Sequence, residues 1–279
     1  MNKLNLENYN LQTTLLGGQA FNFDFYPEEQ CFYGFTQERV IVLKPNGWQT
    51  YPDNDNFEFL KKYLRLDIDY LEILQQIQKD KYIKSAIKKY PNLRLLQQDF
   101  EQTLFSFILS TNNNIKSIRN LIRKLSRKYG KKICVNGKEI CLFPETTVIA
   151  EAKLEDLLEC KLGFRAKFLK GAAKHLLKTN LNKKIKSMNE KEARNSLLKI
   201  KGVGEKITDC VLVFSLGFDN VTPLDIWAKR ALVKFYKLNS KIKYEDMRNW
   251  ISSYFGNYTS WAGQFLYEYI RNNGKISSK

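Results

Sequence analysis

The pattern of the chain changes near residue 90, and that change limits the folds open to it. Before it, "FNFDF", "CFYGFT", "RVIVLKP" and "GWQTYP" are short runs of aromatic and β-branched residues, separated by Pro, Glu, Asn and Gly. Such runs read as antiparallel strands, with "KPNG" from Lys44 to Gly47 as a turn. Two amphipathic stretches follow, "FEFLKKYLRL" and "YLEILQQIQKDKYIKSAIKKY". From Asn92 onward the pattern is helical almost throughout. "DFEQTLFSFILS" (Asp99 to Ser110) has an acidic start and an apolar interior, the pattern of a buried helix. "NIKSIRNLIRKLSRKYG" is amphipathic with a basic outer face and reaches a helix stop at Gly130. No repeat or low-complexity linker divides the chain. The expected class is α+β: an antiparallel β-rich domain over residues 1–90 and a mainly α-helical core over residues 91–279.

Charge narrows the partners. The 279 residues carry 46 Lys and Arg against 29 Asp and Glu, a net charge of +17. Nucleic acid is the first acidic partner such a surface suits and a membrane surface the second. A generally lysine-rich composition would give the same excess. No apolar run approaches the roughly 20 residues that span a bilayer. The polar start "MNKLNLENYNLQ" lacks the apolar core of a secretion signal. The expected location is therefore intracellular: cytoplasmic, nucleoid-associated or nuclear.

Cysteine and histidine exclude several chemistries. Cys31, Cys134, Cys141, Cys160 and Cys210 contain no Cys-x-x-Cys pair, which argues against a disulfide framework and a zinc knuckle. No cysteine follows Cys210, so a C-terminal iron–sulfur loop is excluded. His175 is the single histidine and reads as an ordinary helix residue in "GAAKHLLKT". An enzymatic base in this chain is therefore a carboxylate or an amine.

One stretch carries that chemistry. "SLLKIKGVGEKITDCVLVFSLG" (Ser196 to Gly217) reads as helix, tight turn, helix, with the motif spanning about residues 193–217. Gly202 and Gly204 flank Val203, and the turn's amides with the following helix N-terminus suit a phosphate. A helix–helix corner needing small residues has the same signature, so the turn alone does not choose. Lys206 lies within the first turn of the second helix, where a positive charge gains nothing from the helix dipole. A neutral amine there is a nucleophile able to form a Schiff base. A solvated lysine is the default reading of any one lysine in this chain. Asp225 begins the helix after "VTPL", an ordinary N-cap position. Facing an amine across a cleft, its carboxylate could stabilise positive charge developing on a sugar ring.

These residues, "LLKIKGVGEKITDC" followed by "VTPLDIWAKRAL", resemble the helix–hairpin–helix DNA glycosylases, in the bifunctional 8-oxoguanine DNA glycosylase/AP lyase branch. "LLGGQAFNF", "LRLLQQDFEQTLFSFILSTNNNI", "LFPE" and "KLGFRAKFL" resemble further family blocks in the same order, so the resemblance covers most of the chain. It implies that Lys206 attacks the sugar C1′, displaces the damaged base and drives β-elimination, with Asp225 as the supporting carboxylate. It implies that the Gly18 carbonyl accepts from the N7–H of oxidised guanine. Cys210 and Tyr267 would wall the base pocket. Asn112 would fill the gap left by the flipped nucleotide, with Phe164 as the wedge beside it and Arg165 contacting the orphaned cytosine. Gly202, Val203 and Gly204 would grip the DNA backbone. Trp227 stands where one branch has a phosphate-contacting histidine.

The chain departs from the pattern in two further places. The family's glutamine at the Watson–Crick edge of the lesion is here Gly263, with Gln264 beside it. Either Gln264 takes over or the contact is lost. Ser117 replaces a second arginine facing the opposite cytosine, which implies a relaxed opposite-base preference. The resemblance implies a monomer acting on double-stranded DNA with oxidised guanine, without a metal or organic cofactor. The rival readings are a monofunctional glycosylase for alkylated bases and a non-catalytic DNA-binding protein.

Overall fold

A computed structural model describes residues 2–52 and 56–273. The chain opens with β1 (Asn2–Lys3) and α1 (Leu11–Leu16), then β2 (Phe23–Tyr26), β3 (Cys31–Phe35), β4 (Val40–Lys44) and β5 (Gly47–Tyr51). These strands form an antiparallel sheet in the order β1-β5-β4-β3-β2. Alternation along the strands decides its two faces. Cys31, Tyr33, Val40 and Val42 join the helical core, while Phe32, Ile41 and Leu43 pack with Leu15, Trp48 and Leu60 in a second cluster. Both faces are covered, so β3 is buried along its whole length.

Next come α2 (Phe57–Tyr63), α3 (Tyr70–Ile77) and α4 (Lys81–Lys89). The second amphipathic stretch is thus two helices, because Asp80 turns extended and caps α4 through its side chain. The core follows with α5 (Phe100–Leu109) and α6 (Ile115–Tyr129), both where the pattern expects them. Gly130 ends α6 for a reason other than a left-handed stop. Its φ is −80°, and a Cβ there would collide with the carbonyl of Leu142.

The expectation of helix almost throughout the second region fails at β6 (Lys132–Val135) and β7 (Lys138–Cys141), an antiparallel hairpin. Its turn is Asn136-Gly137, both at positive φ, the pair that two-residue hairpin turns favour. Helices complete the chain: α7 (Thr146–Glu151), α8 (Leu154–Glu159), α9 (Arg165–Thr179), α10 (Leu181–Lys184), α11 (Glu190–Leu198), α12 (Glu205–Phe214), α13 (Ile226–Tyr236), α14 (Tyr244–Phe255) and α15 (Thr259–Asn273). α12 packs between α5 and α11, and α15 against α4 and α13. The α+β class holds, with the sheet seated on the helical core.

Candidate active site

The hairpin between α11 and α12 sets the site's entrance. Ile200 and Val203 amides bond back to the carbonyls of Leu197 and Ile200, at 3.0 Å each, tightening the turn. Gly202 has φ +89°, and a Cβ there would also collide with the Phe168 ring. Val203 is buried and packs into the helical core. Gly204 is the extended N-cap of α12, with no side-chain cap and open space where a Cβ would stand. The first amides of α12 therefore have neither an intrahelical acceptor nor a side-chain cap.

Lys206 follows at the second position of α12. Its Nζ donates to Ser110 Oγ at 3.2 Å and lies 4.9 Å from the centre of the Phe107 ring. Ser110 in turn donates to the Phe107 carbonyl at 2.7 Å, so the end of α5 fixes the amine's direction. One turn on, Cys210 is 2 % exposed. Burial pushes its thiol up to about 12, against the opposing pull of Lys206. That thiol is a neutral wall rather than a thiolate nucleophile.

Asp225 caps α13, accepting from the amides of Trp227 at 2.9 Å and Ala228 at 2.8 Å. Burial raises its pKa, while the Ala228 amide, the Lys206 charge and the Trp227 amide pull the other way. The segment before it is tied to Asp209 of α12. Tyr244 accepts from the Leu224 amide at 3.1 Å and donates to Asp209 Oδ2 at 2.6 Å. Asp209 is fully buried and lies 2.7 Å from Arg194 Nη1. Burial raises its pKa to about 6, despite Arg194 and Tyr244. Asp209 and Tyr244 were invisible to motif reasoning, because their contact joins elements 35 positions apart.

Lys206, Asp225, Cys210, Tyr267, Gln264 and Gly18 line one cleft of about 960 Å³, together with Asn112, Gly202, Gly204 and Trp227. Gly18 has φ +104°, and a Cβ there would press Ile115 and the Tyr267 hydroxyl at 2.9 and 3.0 Å. Its neighbour Gln19 anchors the loop, donating to the Arg94 carbonyl and accepting from the Leu96 amide, both at 2.8 Å. Trp227 stacks beneath the Arg230 guanidinium at 4.8 Å. Gln264 is buried, with Nε2 3.5 Å from Glu268 Oε1.

Phe164 and Arg165 sit at the rim rather than inside. Phe164 is 50 % exposed, with the Arg165 guanidinium 4.5 Å over its ring. Arg165 donates to the Thr111 carbonyl at 2.8 Å and the Asn112 carbonyl at 3.0 Å. Those bonds hold the loop in which Asn112 adopts φ +48°. Among the described residues, no cluster of three or more His, Cys, Asp or Glu side chains could hold a metal ion.

A glycine hairpin that opens onto an amine and a carboxylate in one cleft defines a class: helix–hairpin–helix proteins equipped for glycosidic chemistry. Residues 105–255 match the HhH-GPD superfamily of base excision DNA repair proteins, and the chain belongs to that superfamily. Residues 2–104 match the 8-oxoguanine DNA glycosylase N-terminal domain. The N-glycosylase/DNA lyase of Saccharomyces cerevisiae is 27% identical over 268 residues, covering 82% of this chain and 69% of the relative. A probable N-glycosylase/DNA lyase of Methanothermobacter thermautotrophicus is 24% identical, covering 77% of this chain and 78% of its own. The Clostridium acetobutylicum 8-oxoguanine glycosylase/lyase, solved with duplex DNA containing cytosine opposite 8-oxoguanine, superposes with a TM-score of 0.88 at 31% identity. That alignment covers 96% of this chain and 93% of the other.

Proposed function

We propose that this chain flips 8-oxoguanine out of duplex DNA, cleaves its N-glycosidic bond through Lys206 and nicks the strand on the 3′ side. It is a base excision repair enzyme with N-glycosylase and DNA lyase activity, and double-stranded DNA is its partner. One observation carries the residue roles: Lys206 and Asp225 share a cleft with the two pocket walls and with Gly18.

The amine of Lys206 attacks C1′ as the C1′–N9 electron pair leaves with the base, which takes up a proton. Asp225 stabilises the positive charge that builds on the sugar. The attached amine loses a proton, the C1′–O4′ bond opens with its electron pair and a proton going to O4′, and the C1′=N Schiff base so formed acidifies the C2′ hydrogen, whose loss expels the 3′ phosphate. Schiff-base hydrolysis then returns the lysine. Extrusion of the base costs a few kcal/mol. Insertion of Phe164 and Asn112 into the stack, with backbone contacts at Gly202, Val203 and Gly204, offsets that cost. Arg165 supports the Asn112 loop and faces the orphaned base. Trp227 borders the backbone path. The chemistry needs no metal or organic cofactor. The working location is intracellular, wherever the DNA is held, and among the described residues no helix is long and apolar enough to cross a membrane.

Borohydride trapping on lesion DNA tests this reading. Wild type forms a covalent protein–DNA adduct and Lys206→Gln forms none. Binding without any adduct would remove the lyase role. Ser117, in place of an arginine, leads to a second expectation: excision opposite each of the four bases falls within about tenfold. A strong preference for cytosine alone would refute it.

A further inference from the structure

The face of α15 that borders the cleft is interrupted at Gly263. A Cβ there would collide with Thr222 Oγ1 and lie 3.0 Å from Thr222 Cβ. No longer side chain fits at that position while Thr222 is present. The space next to the helix is occupied by the Thr222 hydroxyl itself. Thr222 is 2 % exposed and lines the cleft, and among the described residues its hydroxyl has no hydrogen-bond partner.

Gly263 and Tyr267 stand about one helical turn apart, about 6 Å along the axis. The Tyr267 hydroxyl lies beside Gly18. Along this wall the cleft therefore has the Gly18 turn near one end and the Thr222 hydroxyl a turn away. Gln264 points its amide nitrogen at Glu268, not at this gap.

We propose that Thr222 determines specificity at the far edge of the base pocket, so that 8-oxopurines with either a 6-oxo or a 6-amino group are excised. The proposal rests on the base-excision reading above. A hydroxyl rotates: it donates to a 6-oxo group and accepts from a 6-amino group. A carboxamide at the same edge would hold a donor and an acceptor in fixed places and leave one unpaired against the wrong base. The gap opposite Gly18 thus tests the presence of an edge without testing its polarity. Discrimination rests on the Gly18 side, where the oxidised ring carries its N7–H in both bases.

Single-turnover excision of 8-oxoguanine and 8-oxoadenine, each opposite the same base, tests the proposal. Wild type is expected to process both within about tenfold. Thr222→Val, which keeps the shape and removes the hydroxyl, should slow both by about five- to tenfold. Thr222→Ser should restore both, which separates loss of the hydroxyl from loss of packing. Excision of 8-oxoguanine alone by wild type, or Thr222→Val rates equal to wild type, would overturn it. Trapping of wild-type protein on DNA with a preformed abasic site reads Lys206 without any base to recognise. An adduct there with selective excision rejects only the Thr222 proposal, whereas no adduct there rejects the lyase reading beneath it.

Discussion

Two neighbouring charges on α12 are used in opposite ways. Lys206 and Asp209 are three residues apart on one helix. Asp209 is fully buried and tied to Arg194 and, through Tyr244, to the backbone before Asp225. Lys206 faces the cleft with a hydroxyl and an aromatic ring for company. The surroundings of Asp209 are a buried polar network of the kind that specifies one arrangement. Those of Lys206 leave its amine lightly held, which suits the attacking role proposed for it. The contrast is between a charge whose partners all lie within the fold and one with room for a ligand.

Substitutions at the two positions should separate accordingly. The largest effect is at the cleft: Lys206→Gln should abolish excision and trapping while its melting temperature stays within about 2 °C of wild type. A large drop in melting temperature would mean that Lys206 also supports the fold. Asp225→Asn comes next. Asparagine still caps α13, so stability should change by less than about 1 kcal/mol, while single-turnover excision falls by about a hundredfold or more.

The Asp209 network should behave in reverse. Tyr244→Phe leaves the Leu224 amide and a lone pair of Asp209 unmatched, a cost of about 1–3 kcal/mol. Chemical denaturation should register that cost, with excision slowed by only about tenfold through a displaced Asp225. The smallest effect is a pH signature. Asp209 rises from 3.8 to about 6 in the folded state, chiefly because it is buried. The folded chain thus holds a proton that the unfolded chain has released. The stability Asp209 contributes is full below about pH 4 and is lost as pH climbs through about 6. The melting-temperature difference, wild type minus Asp209→Asn, should shrink over that window. A constant difference would place the carboxyl outside this linkage.

Much of this was legible in the chain. Strands β2 to β5 appear because aromatic and β-branched runs alternate between two apolar faces. Lys206, Cys210 and Asp225, which share the cleft, could be singled out because helical spacing and capping are local properties. Thr222, Ser110 and Tyr244 were not, since each is a common residue whose role arises only when distant segments meet. The Lys206–Ser110 contact, for example, bridges 96 positions. The β6–β7 hairpin had a readable signal in Asn136-Gly137, which the surrounding helical pattern obscured. Arg165 shows a different limit: the resemblance implies a contact to the orphaned cytosine but gives no sign of its bonds to the Thr111 and Asn112 carbonyls.

Gly204 carries a consequence for anyone engineering this enzyme. Its φ of −103° suits any residue, and nothing in the protein occupies the space beside it. An alanine there would leave the free protein intact and could even stiffen its unfolded chain favourably. A screen that ranks variants by heat resistance would accept the change and carry it forward. If the hairpin grips DNA as proposed above, the added methyl group would stand in the path of the strand, and the loss would surface only in the repair of a genome.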